Sequence, residues 1–140
     1  MAREGYCPIL ADVTDPASLG SLPEAEAVLW AVGFQMQLGK KIGEVYVDGL
    51  SHALDALADR TGQVVYLSST GVYGQNDGRW VDEESCCEPQ REGGQACLEA
   101  EQLLGGHRLG RRAIILRLAG LYGPQRIPHL NLLGDGRPIP

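Results

Sequence analysis

Three hydroxyl residues in a row, Ser68-Ser69-Thr70, directly follow the apolar run Val64-Val65-Tyr66-Leu67. At the carboxyl end of a buried strand such hydroxyls can orient a substrate carbonyl or hydroxyl. They can equally close a turn by bonding backbone amides. No Gly-x-Ser-x-Gly surrounds Ser69, so a nucleophilic serine on a strand-to-helix elbow is not indicated. Asp12 ends an earlier stretch, residues 6–10. An acid there can accept from an adenine amino group or a ribose hydroxyl, or it can cap the next helix. The capping part suits Asp15 better, because Pro16 comes next as a first helical residue. Asp82-Glu83-Glu84 reads as a solvated surface within a polar loop. Glu99 and Glu101 fall on different faces of a helix and receive no chemical role. Cys7, Cys86, Cys87 and Cys97 form no Cys-x-x-Cys pair and read as reduced thiols of a cytoplasmic protein. His52, His107 and His129 have no metal-ligand spacing.

The elements that must position these groups are legible from hydropathy. Residues 6–10 form a weak strand candidate. A short helix after Asp15 is closed by Gly20 and Pro23. Residues 27–32 are continuously apolar, as in a strand buried on both faces. From 42 to 59 the period turns helical, with Ile42, Tyr46, Leu50, Ala53, Leu54 and Leu57 on one stripe. Residues 64–67 and 113–116 are further strands, 75–91 a polar loop, and 95–104 a helix. This alternation predicts an α/β fold: a parallel sheet with helices on both faces and ligands at the carboxyl ends of its strands.

Composition narrows the function classes. The chain has 140 residues, 44% of them hydrophobic, so it is long enough for one domain with a true core. A net charge of −6 with no basic block argues against nucleic acid as a partner. No apolar run approaches the ~20 residues that cross a bilayer, and the amino terminus has no signal-peptide core. A small-molecule substrate is the expected partner.

Five segments, in order and spacing, resemble the extended short-chain dehydrogenase/reductases, the NAD(P)-dependent epimerase/dehydratase group. Ala11-Asp12-Val13-Thr14-Asp15 is similar to the family's adenine-contacting turn. Leu29-Trp30-Ala31-Val32-Gly33 is similar to the turn after its fourth strand. Tyr46-Val47-Asp48-Gly49 is similar to a helix motif that usually begins with asparagine. The stretch from Val64 through Ser68-Ser69-Thr70-Gly71-Val72-Tyr73-Gly74 resembles its active-serine strand. Leu116-Arg117-Leu118-Ala119-Gly120-Leu121-Tyr122-Gly123-Pro124 resembles the strand and turn after the catalytic helix.

The resemblance implies a partial Rossmann fold lacking the first βαβ unit, with 1–126 an NAD(P)-binding domain and 127–140 the start of a substrate-binding region. It implies NAD or NADP as the cofactor of the full-length relative, contacted by Asp12, Val13, Ala31, Val32, Gly33, Ser68, Leu118, Ala119 and Gly120. Ser69 would orient the substrate oxygen, and Tyr73 would be a replacement acid. The reaction would be hydride transfer on a carbonyl or sugar-nucleotide. The alternative is a catalytically inactive nucleotide-binding or scaffold module.

Two departures motivate that alternative. The family's glycine-rich phosphate-binding turn is absent, as expected of a piece of a longer protein. Its Tyr-x-x-x-Lys pair falls on Gly93 and Cys97, which supply neither proton nor charge. With the first strands missing, residues 28–32 would form an apolar edge, from which a homodimer or aggregation is expected.

Overall fold

The computed structural model describes residues 5–36 and 39–123. Three strands, β1 (Ala25–Trp30), β2 (Thr61–Ser69) and β3 (Ala113–Leu118), form a parallel sheet in that order. Leu29 lies beside Val65 and Val65 beside Ile114, while Ser68 lies beside Arg117. A π-helical stretch, Glu44–Asp48, and α1 (Gly49–Leu57) connect β1 to β2. Helix α2 (Glu92–Gly106) connects β2 to β3.

The core lies between the helices and one face of the sheet. Leu50, Ala53 and Leu54 of α1 and Ala100 and Leu104 of α2 meet Trp30, Val64 and Tyr66. Each large apolar side chain buried there contributes roughly 1.5–3 kcal/mol. The expected helices on both faces are corrected: both helices pack on one face, and Leu29, Ile114 and Leu116 on the other are exposed among the described residues. The reason is topological. Successive crossovers of the usual hand that step the same way along a sheet lay their helices on the same side.

The strand expected at residues 6–10 does not form. That segment is irregular and exposed, with no strand among the described residues beside it to complete its hydrogen bonds. The chain turns instead at Asp15, whose side chain accepts from the Ala17 N–H and caps a 3₁₀ turn, Pro16–Ser21. The buried Leu19 and the Arg60 guanidinium, which donates to the Gly20 and Leu22 carbonyls, anchor that turn. The strand expected at 27–32 is shifted to Ala25–Trp30 and includes the charged Glu26; Val32 lies beyond it. The expected substrate region, 127–140, lies outside the described residues.

Two glycines let α2 dock on the end of β2. A Cβ on Gly94 would overlap the Gly71 carbonyl oxygen, and one on Gly71 would lie 3.3 Å from Ser69 Oγ. Backbone on both sides leaves nothing flexible to yield. Gly94→Ala is therefore expected to cost about 1–3 kcal/mol in urea unfolding. Gly105→Ala, in open space on the same helix, should be neutral or gain up to about 1 kcal/mol. Equal effects of the two substitutions would contradict this docking.

Candidate functional site

At the carboxyl end of β1 the chain forms a cleft of about 520 Å³. Asp12, Val13, Val32, Gly33, Lys40 and Val45 are among the residues that line it. The turn holding Asp12 is self-contained. Asp12 Oδ1 accepts from both the N–H and the hydroxyl of Thr14, at 2.8 Å each. These two donors hold the Asp12 carboxyl below its usual range, so it stays ionised. The Ser18 hydroxyl bonds the Asp12 N–H and carbonyl from the following 3₁₀ turn.

Helix α1 sets the distance across the cleft. Gly49 approaches Val13 so closely that a Cβ would lie 2.8 Å from Val13 Cγ2. His52 Nδ1 lies 3.0 Å from the Val13 carbonyl oxygen, to which it donates in its Nδ1-protonated tautomer. The extra residue per turn of the π-helical stretch carries Val45 to the cleft wall. The same stretch places the Tyr46 hydroxyl where it accepts from the Phe34 N–H.

A second polar cluster lies under the carboxyl ends of β2 and β3. Glu101 on α2 is buried and accepts from the Ser68 hydroxyl at 2.5 Å, from Arg117 Nε at 3.1 Å and from an Arg117 terminal nitrogen at 2.7 Å. That carboxylate holds the Arg117 guanidinium still more firmly protonated than usual. Arg117 also donates to the Tyr73 hydroxyl at 2.9 Å and lies over its ring. Tyr73 in turn donates to the Asp82 carbonyl at 2.8 Å.

The expected site residues therefore separate into groups. Asp12, Val13, Val32 and Gly33 converge on one cleft, and Ala31 is exposed just before Val32. Ser68 faces inward to Glu101. Ser69 accepts from the Gly71 N–H at 3.0 Å, the turn-closing bond considered from sequence. Leu118 lines a separate groove with Thr70 and Tyr73, while Ala119 and Gly120 are exposed past the strand end.

Glu101 is the functional neighbour that helix spacing missed. The signal was present: four residues after the buried Cys97 and three before the buried Leu104, it shares their face, and Arg117 is the lone charge in an apolar strand. Burial pushes the Cys97 thiol up, and the nearby Glu101 charge adds to it. Cys97 is therefore a neutral, buried group.

A cleft at the carboxyl ends of the strands is where open parallel α/β sheets bind their ligands. The chain's sequence contains no glycine-rich turn of the kind that holds a diphosphate. The chain belongs to the NAD dependent epimerase/dehydratase family, whose profile matches residues 7–132. Protein YeeZ of Escherichia coli K12 is 34% identical over 128 residues, 90% of this chain and 45% of YeeZ. A structure described as an NAD-dependent epimerase/dehydratase from Methylobacillus flagellatus is 34% identical with a TM-score of 0.68, over 89% of this chain and 42% of that one. RMD from Pseudomonas aeruginosa, complexed with NADPH, is 26% identical with a TM-score of 0.75, over 91% and 48%. The chain thus spans about half the length of the relatives it matches, and its fold is the Rossmann type with part of the sheet present.

Arg117→Met would leave the Glu101 carboxylate buried without its counter-ion. The expected cost is about 3–5 kcal/mol in denaturant unfolding, much of it recovered in Glu101→Leu/Arg117→Met. A single-variant loss under about 1 kcal/mol would show the pair to be solvated.

Proposed function

We propose that this chain supplies the adenosine-binding part of an NAD(P)-dependent oxidoreductase or epimerase-like protein acting on a carbonyl or sugar-nucleotide. The observation that carries this reading is the meeting of Asp12-Val13 with Val32-Gly33 in one cleft. Asp12, kept ionised by Thr14, accepts from a ribose hydroxyl or the adenine amino group. Val13, Val32 and Val45 exclude water from the faces of the base. Residues 1–126 form the dinucleotide-binding part, and 127–140 begin the substrate-binding part.

When bound, the nicotinamide supplies the hydride chemistry. This chain's contribution at the substrate is Ser69. Its hydroxyl accepts from the Gly71 N–H and keeps its own proton to donate to a substrate oxygen. Tyr73, the other acid considered, has its proton directed to the Asp82 carbonyl and receives a hydrogen bond from Arg117. It can act only after the loop bearing Asp82 moves.

A second reading, an inactive nucleotide-binding or scaffold module, is favoured by α2. There Gly93 bears no side chain, and the Cys97 thiol is neutral and buried. Hydride exchange between NAD(P)H and carbonyl compounds separates the two readings. Turnover that falls in Ser69→Ala with dinucleotide affinity unchanged supports the enzyme, and absence of turnover supports the module.

The cleft makes a prediction common to both. AMP should compete with NAD⁺ for the chain, and nicotinamide mononucleotide should not. Asp12→Ala should weaken the adenosine ligands about two- to tenfold, the range for one lost hydrogen bond. Ligand-observed NMR competition measures this. Unchanged affinity in Asp12→Ala, or equal competition by the mononucleotide, would remove this cleft from the reading.

A further inference from the structure

We infer that Arg117 is a positioning residue acting through Tyr73, and that the two form a latch holding the tip of the acidic loop beside the carboxyl ends of β2 and β3. The inference does not rest on dinucleotide binding.

Residues 73–91 contain no helix or strand. A connection longer than roughly 12–15 residues without regular structure is usually a lid or binding loop when it is ordered. Its base is fixed by close packing: Gly74 lies so near the Glu88 backbone that a Cβ would overlap it, and the Gln75 amide donates to the Cys86 carbonyl. Its tip lacks such support. Trp80, the largest side chain in the loop, is 100% exposed, so the tip gains nothing from burying it.

The tip is reached from the body of the protein by the Tyr73 hydroxyl, which donates to the Asp82 carbonyl. Asp82 is the knot of its turn. Its side chain accepts from the Ser85 hydroxyl and the Glu84 N–H, and its own N–H donates to Ser85 Oγ. Holding the Asp82 carbonyl therefore holds the turn.

Arg117 determines how Tyr73 does this. Two of its nitrogens bind Glu101, which fixes the guanidinium plane, and the third points at Tyr73 Oη. An N–H donated into that oxygen occupies one lone pair and leaves the phenolic proton directed at Asp82. Lysine, with a single nitrogen, cannot engage Glu101 on two sides and Tyr73 together. Between the loop and β3 lies a groove of about 470 Å³, with Val81 and Asp82 on the loop side and Thr70 and Leu118 on the other. The latch thereby sets access to the hydroxyl-bearing end of β2.

Limited trypsin digestion of the whole chain tests the latch, because Arg79 lies at the tip and cleavage after it reports local opening. Tyr73→Phe keeps the ring under Arg117 and removes only the hydroxyl. It should speed cleavage after Arg79 about two- to tenfold. Arg117→Lys should do the same, and Arg117→Lys/Tyr73→Phe should be no faster than the faster single variant. Arg108→Gln, which breaks the exposed pair with Asp59 far from the loop, should leave the rate unchanged. Hydrogen–deuterium exchange should quicken at residues 76–88 in Tyr73→Phe and stay constant in α1. This measurement decides the matter if Arg117→Lys unfolds. Unchanged cleavage and exchange in Tyr73→Phe, or single-variant effects that multiply in the double, would overturn the inference.

Discussion

A carboxylate buried in a sheet-and-helix core is tolerable only with close, charged partners, and the upper end of this molecule is organised around that requirement at Glu101. Without its donors the ionised group would cost several kcal/mol, a large share of the stability of a domain this size. With them it ties three elements together. Ser68 belongs to β2, Arg117 to β3 and Glu101 to α2, and Ser68 and Arg117 are register partners in the sheet. The Ser69–Gly71 turn is then held from below by Ser68 and from the side by the Gly71–Gly94 approach of α2. The Ser69 hydroxyl is held in place because its neighbours are.

The cleft at the end of β1 depends on a different device, the close approach of Gly49 to Val13. It is built before and after β1, whereas the hydroxyl cluster is built after β2 and β3. Both lie at carboxyl ends of strands of one parallel sheet, which is how a long ligand can span them. The opposite face of the sheet, with Leu29, Ile114 and Leu116, is exposed among the described residues. Parallel sheets are ordinarily covered on both faces, and the relatives with solved structures are more than twice as long as the part matched here.

Much of this was legible in the residues. The apolar runs located all three strands of the sheet, and the stripe through Leu50, Ala53, Leu54 and Leu57 located α1. Hydropathy alone could not say that residues 6–10 lack a neighbour to pair with, since a strand exists only beside another strand. Nor could it show which way the helices pack, because that depends on the order of strands in space. The sequence placed Asp12 and Gly33 at strand ends, and the structure brings both to the lining of one cleft. The Glu101–Arg117 pair was not legible, because helical spacing compares Glu101 with Glu99 on its own helix and never with an arginine on a strand sixteen residues away.

The proposed function requires a nucleotide to meet this chain at the carboxyl end of β1. A ¹⁵N-resolved NMR titration of the chain with NAD⁺ reads this out residue by residue. Saturable shifts are expected at the amides of Asp12, Val13, Val32 and Gly33, with His107, Arg111 and Arg112 at the far end of the sheet unmoved. Shifts confined to that far end, or none at the four cleft residues under saturating ligand, would contradict it.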